Sequence, residues 1–95
     1  PSEVEEVVGS NECVYDCACI GVPDEKWGEK IVAVVTLKAG VDDPKVTETE
    51  IQACCKDKLA GYKRPKEVIF IKSDEMPRTT TGKILHRKLK ERFNH

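Results

Sequence analysis

No run of apolar residues in this 95-residue chain approaches the ~18 needed to span a bilayer, and its start shows no charged-then-apolar leader. Those absences set the expectation of a soluble, cytoplasmic protein with no membrane span. Aromatic residues are scarce, with one Trp, two Tyr and two Phe. A single-stranded nucleic-acid binder interleaves stacking rings with its cations, and here few rings accompany them. The five cysteines, Cys13, Cys17, Cys19, Cys54 and Cys55, are odd in number, form no paired C-x-x-C motifs and sit in apolar segments. That usage argues against a disulfide framework or a zinc site and predicts small hydrophobic core residues, with no metal held by this chain; Cys17-Ala18-Cys19, on one face of a strand, leaves a metal or redox role as a distant second. A phosphate-binding P-loop is also missing. The pattern G-x-x-x-x-G-K-[ST], laid on Gly82-Lys83, requires Gly at 77 and Ser or Thr at 84, where Pro77 and Ile84 stand. There is no initiator Met, and Pro1-Ser2-Glu3 opens inside what reads as a helix. Residues 1–95 are expected to form a single domain with one modest core, a fragment too small to enclose several substrates.

What is present is charge, unevenly placed. Residues 1–55 carry 4 Lys/Arg against 12 Asp/Glu, and residues 56–95 carry 12 against 5, although the net charge is only -1. A basic C-terminal part points to an anionic ligand or partner there, while solvated helix faces explain the same counts without one.

The pattern predicts α+β architecture. Ser2 to Val8 reads as a helix, with Ser2 and Glu5 as a capping box and Val4, Val7 and Val8 on one face. Val14 to Val22 and Lys30 to Lys38 read as strands, joined by a turn that begins at Pro23-Asp24 and paired antiparallel. A second capping box, Thr47 with Glu50, opens a helix whose inner face is Ile51, Cys54, Cys55 and Leu59 and which Gly61 terminates. Glu67 to Ile71 gives a short third strand. A final helix from about Lys83 to Arg92 aligns Leu85, Leu89 and Phe93. The expected fold is a small three-stranded sheet flanked by helices.

Three segments carry the chemistry. In Met76-Pro77-Arg78-Thr79-Thr80-Thr81-Gly82-Lys83-Ile84, Gly82 admits close backbone approach to an anion. Lys83 then supplies a compact positive charge at a helix start. Taken alone, a Gly-Lys pair is an ordinary surface lysine. Pro23-Asp24-Glu25-Lys26-Trp27-Gly28-Glu29 places the single Trp on a charged turn, suited to stacking. Tyr62-Lys63-Arg64-Pro65 sets another ring beside two cations, a composition suited to a nucleotide and its phosphates.

In order and spacing these blocks, with Pro1-Ser2-Glu3-Val4-Glu5 and Ala18-Cys19-Ile20-Gly21-Val22-Pro23-Asp24, span essentially the whole chain. The sequence resembles the C-terminal domain of the adenylate-forming superfamily: acyl-CoA and aryl-CoA synthetases, firefly luciferase and the adenylation domains of nonribosomal peptide synthetases. The resemblance implies a mobile lid, inactive alone, for an acid-thiol ligase. That enzyme activates a carboxylic acid with ATP to an acyl-adenylate and pyrophosphate, then transfers the acyl group to CoA. It implies a large N-terminal domain as partner, holding most of the ATP site, its Mg2+ and the acyl pocket.

Residue by residue, the resemblance makes Lys83 the adenylation lysine. It makes Trp27 and Tyr62 contacts for the CoA adenine nucleotide and Arg64 a partner for a CoA phosphate, with Lys63 adding charge. It further implies a large rotation of the lid between the two half-reactions. The hinge residue and the glycine-bearing loop of the pantetheine tunnel would lie just before Pro1. Cys17, Cys19 and His86 depart from the residues common in the family, away from the implied roles. Two alternatives stay open: the lid of an adenylation domain that loads a carrier protein, and, from another class, a freestanding nucleic-acid or protein-binding module using the basic part.

Overall fold

The structure, a computed structural model, describes residues 2–26, 28–41 and 43–93. Helix α1 (Ser2–Gly9) leads into β1 (Val14–Asp24), β2 (Gly28–Leu37) and α2 (Pro44–Lys58). A 3-10 turn (Gly61–Lys63), β3 (Glu67–Phe70), a second 3-10 turn (Ser73–Glu75) and α3 (His86–Phe93) complete the chain. The sheet order is β1-β2-β3. Strands β1 and β2 pair antiparallel, with Cys19 opposite Ala33, whereas β3 runs parallel to β2, with Ile69 opposite Val34. Helix α2 supplies the crossover that a parallel return requires.

Both faces of the sheet are covered, which explains why Ile31-Val32-Ala33-Val34-Val35 is an unbroken apolar run rather than an alternating one. On one face Cys19, Ala33, Val35 and Val68 pack against Val4 and Val8 of α1, Ile51 and Cys55 of α2, and Leu59 just beyond it. On the other, Ala18, Ile20, Val22, Val32 and Val34 meet Met76 and Leu89, flanked by Ile84 and Phe93. The outer edge of β1 is partly covered as well. Glu5 reaches from α1 to accept the Cys19 N–H on Oε2 at 2.7 Å, blunting an open row of donors. The Ser2 half of the expected capping box lies outside the described side chains.

Several boundaries differ from expectation for identifiable reasons. Strand β1 continues through Pro23 and Asp24, opposite Glu29 and Gly28, because an edge strand tolerates a residue without an N–H. Helix α2 begins at Pro44, not Thr47. Asp43 caps it, its Oδ1 accepting the Lys45 N–H at 3.0 Å, and Pro44 takes the first helical position, leaving Thr47 buried within the helix. Gly61 is not the C-cap of α2. That end is closed by Leu59 in an extended conformation and by the Arg64 guanidinium, whose Nε and Nη2 donate to the Leu59 and Lys56 carbonyls at 2.9 Å each. Finally, α3 starts at His86, three residues beyond Lys83.

The lysine hairpin and the basic turn

The segment from Pro77 to Leu85 folds as a tight hairpin rather than as a helix start. Arg78 bridges Ile84, the Leu85 N–H donates to the Pro77 carbonyl at 2.9 Å, and the Thr79 N–H donates to the Lys83 carbonyl at 2.8 Å. Across its tip the Gly82 N–H donates to the Thr79 carbonyl at 2.9 Å. Gly82, the fourth residue of that turn, holds φ at 89°, the left-handed conformation that lets the strands meet again. A Cβ built there meets nothing within 4 Å, so glycine is required by conformation and not by space. The Thr79 hydroxyl oxygen accepts the Lys83 N–H at 3.1 Å and lies 3.0 Å from the Thr81 hydroxyl.

Two consequences follow for the lysine. Its backbone is fixed at both N–H and C=O, while its side chain is exposed and its ammonium has no partner among the described residues. The expected help from a helix dipole is absent, because the hairpin pairing carries the chain past Lys83 before α3 begins. The Gly82 N–H is likewise spent inside the turn. Among the described residues Lys83 is thus an unpaired cation presented on a hydrogen-bonded hairpin tip.

The base of the hairpin is tied to the sheet by a chain of polar groups that the sequence alone did not single out. Arg78 Nη1 lies 2.5 Å from Asp16 Oδ2, and Asp16 Oδ1 accepts from the fully buried Thr36 hydroxyl. The charge and hydrogen bond of Asp16 push the Arg78 guanidinium further up from its ordinary value. A visible signal existed: Asp16 is the one acid inside the apolar stretch from Val14 to Val22. A second tie, also missed, is His86 Nε2 to Glu5 Oε2 at 2.6 Å, which joins α3 to α1 around the edge of β1.

The basic turn is anchored to a different layer, that of α1 and α2. Lys63 pairs with Glu3 of α1 at 2.8 Å, and this contact holds the Glu3 carboxyl below its usual value. Arg64 spends two of its five N–H donors on the Lys56 and Leu59 carbonyls at the end of α2. Both residues are therefore anchored to the α1–α2 layer, whereas the hairpin is anchored through Met76 and Ile84 to the α3 layer. The structure does not bring Lys83 together with Lys63 and Arg64. Trp27 lies outside the described residues, and so does the side chain of Tyr62.

Cys19 and Cys55 are core residues and Cys17 packs against them, whereas Cys13 and Cys54, the latter expected on the inner face of α2, are only half-buried and lie outside the core clusters. Burial pushes the Cys17 thiol up to about 11 and the Cys19 thiol up to about 12, and burial also raises Cys55. Among the described residues no group of three or more His, Cys, Asp or Glu side chains could hold a metal ion, and no helix is long and apolar enough to cross a membrane.

Residues 3–83 match the family described as the AMP-binding enzyme C-terminal domain. The chain is 41% identical over 94 residues to "2-succinylbenzoate--CoA ligase" of Listeria monocytogenes, covering 99% of this chain and 19% of that protein. It is 43% identical over 94 residues to "Long-chain-fatty-acid--CoA ligase FadD13" of Mycobacterium tuberculosis, covering 99% of this chain and 18% of that protein. Among solved structures, the anthranilate CoA ligase AuaEII in complex with anthranoyl-AMP superposes with a TM-score of 0.89 at 35% identity, over 99% of this chain and 18% of that one. The chain thus spans about a fifth of the length of the curated relatives it matches.

Proposed function

This chain belongs to the AMP-binding enzyme C-terminal domain family, and from that premise we propose that it is the mobile lid of an ATP-dependent acid-thiol ligase. The observation that supports the proposal is that the two cationic segments are anchored to different layers of the domain, Lys63 and Arg64 to α1 and the end of α2, and the lysine hairpin through Met76 and Ile84 to the α3 side of the sheet. One presents Lys83, which has no carboxylate partner among the described residues; the other presents Lys63 and Arg64. A lid that turns between half-reactions uses each in its turn.

In the first half-reaction the carboxylate of the acid attacks the α-phosphorus of ATP, pyrophosphate leaves, and an acyl-adenylate forms. Negative charge builds on the phosphoryl oxygens as the carboxylate arrives. Lys83, delivered by the hairpin, sets a compact ammonium against that charge. Its fixed backbone limits the reorganisation needed when charge develops. Gly82 makes the delivery possible through the conformation of the turn. In the second half-reaction the thiol of CoA attacks the acyl carbonyl and AMP leaves. Arg64, its fork already oriented by the end of α2, meets a CoA phosphate; Lys63 adds positive charge, and Trp27 and Tyr62 contact the adenine nucleotide.

Magnesium accompanies ATP in this reading. On the same reading the large N-terminal domain holds it together with most of the ATP site. Relatives named as CoA ligases for 2-succinylbenzoate and for long-chain fatty acids support the ligase reading with CoA as acceptor. Their acids differ widely, in keeping with an acid pocket in the partner domain. The test is acid-dependent exchange of pyrophosphate into ATP by the full-length protein, followed by product analysis with free CoA. Exchange with no acyl-CoA formed, but with acylation of a phosphopantetheinyl carrier protein, would establish the carrier-loading alternative. No exchange with any acid would overturn adenylation itself. A freestanding nucleic-acid module is disfavoured because Lys30, Lys63, Arg78 and Arg92 are each paired with a carboxylate and are spread over several elements.

A further inference from the structure

We infer that Thr36, Asp16 and Arg78 form a positioning network that sets where the hairpin delivers the Lys83 ammonium. Three observations converge on it. First, the register of β1 shifts between Val14 and Asp16. A shift of this kind re-aims the following side chain, and it leaves Tyr15 61% exposed while Asp16 turns to the base of the hairpin. Second, both carboxylate oxygens of Asp16 are used, Oδ1 by the buried Thr36 hydroxyl and Oδ2 by Arg78 Nη1. The Asp16 N–H also donates to Thr36 Oγ1, at 3.2 Å. The carboxylate is thereby locked to β2 before it meets the guanidinium. Third, Arg78 pairs through its backbone with Ile84, the residue that follows Lys83.

A continuous path therefore runs from the buried middle strand to the lysine. The bonds within the hairpin tip fix its shape, and Met76 and Ile84 bury its base, but apolar contacts are not directional. The charged, directional contact of Arg78 with Asp16 sets the tilt of the tip against the sheet. Arg78 Nη2 is buried with no hydrogen-bond partner among the described residues. Leaving a buried donor unpaired costs stability, and such costs are tolerated where function needs the arrangement. Arg78 would act through Lys83 and would touch no substrate.

The catalytic consequence rests on the reading of Lys83 given above, so the test separates the two. In the full-length protein, Thr36→Val removes the hydroxyl at nearly constant shape, and Arg78→Ala removes the guanidinium. Amide hydrogen exchange should accelerate about tenfold or more at Thr79 and Gly82 while Val34 and Leu89 stay unchanged, a local opening and not a global one. The adenylation kcat should fall by about tenfold to a hundredfold with the KM values for ATP and acid unchanged, as expected when a reacting group is misplaced. Arg78→Lys, which keeps one charged donor for Asp16, should recover part of both effects. Exchange that is unaltered, or that rises uniformly over the sheet, overturns the positioning role. If exchange responds locally and Lys83→Ala still leaves adenylation intact, the reading of Lys83 fails while the network stands.

Discussion

Replacing Gly82 with alanine isolates backbone conformation from packing. The residue holds φ at 89°, and an added Cβ would meet no atom within 4 Å, so no clash contributes. The whole cost is that of forcing an L-residue into the left-handed region, ~1 to 2 kcal/mol, offset slightly by the loss of glycine's freedom in the unfolded chain. For a domain of this size that is a lowering of Tm by roughly 5 to 15 °C, read by thermal unfolding monitored by circular dichroism. Gly82→Asn should cost less than half as much, because asparagine enters the left-handed region more readily. Gly21 provides the opposite control. Its φ is not positive, but a Cβ would come within 2.5 Å of Glu29 Oε1. That atom ends a flexible, exposed side chain that can swing aside, so Gly21→Ala should change stability by less than about 1 kcal/mol. A neutral Gly82→Ala, an Asn as costly as Ala at that position, or a Gly21→Ala that is the worse of the two would refute a purely conformational cost at Gly82.

Other expectations rest on caps and burial. Arg64→Ala uncaps the end of α2 and should lower stability by ~1 to 2 kcal/mol, with Arg64→Lys a poor substitute because one ammonium cannot reproduce the fork; urea midpoints at constant m-value decide this. Asp43→Ala should cost ~1 kcal/mol in the same assay and Asp43→Asn much less, since only the accepting oxygen matters to the Lys45 N–H. Cys17 and Cys19 should resist iodoacetamide in the native protein at neutral pH and react on unfolding, as their raised values keep them protonated. Because the folded values lie above the unfolded one, their contribution to stability is complete below about pH 9 and is lost as pH rises toward 11 to 12. A titration showing stability that increases over that window at these sites would contradict the burial assigned to them.

Much of this fold was legible because its signals are local. The β-branched run of β2, the apolar faces of α1 and α2, and the antiparallel pairing of β1 with β2 all follow from periodicity and turn residues. What stayed hidden depends on contacts distant in sequence. Gly61 has the composition of a helix stop, yet an arginine five residues after Leu59 does that work instead. The Lys83 segment carries helix-forming neighbours, yet pairing with Thr79 and Pro77 draws it into a hairpin first. Thr47 with Glu50 matches a capping box, but Asp43-Pro44 upstream captures the helix start. The candidate lysine was visible from its motif, whereas its support, Asp16 and Thr36, lies more than forty residues away in sequence. The separate anchoring of the two cationic segments was not readable at all, since it follows from which layer each one packs against.

The central claim is that Lys83 acts in adenylate formation and not in thioester formation. In the full-length protein, Lys83→Ala should slow acyl-adenylate formation by about two to three orders of magnitude, ~3 to 4 kcal/mol of transition-state stabilisation. Thioester formation from preformed acyl-adenylate and CoA should remain within a few-fold of the unaltered protein. Equal losses in the two half-reactions, or an unimpaired first one, would contradict the account.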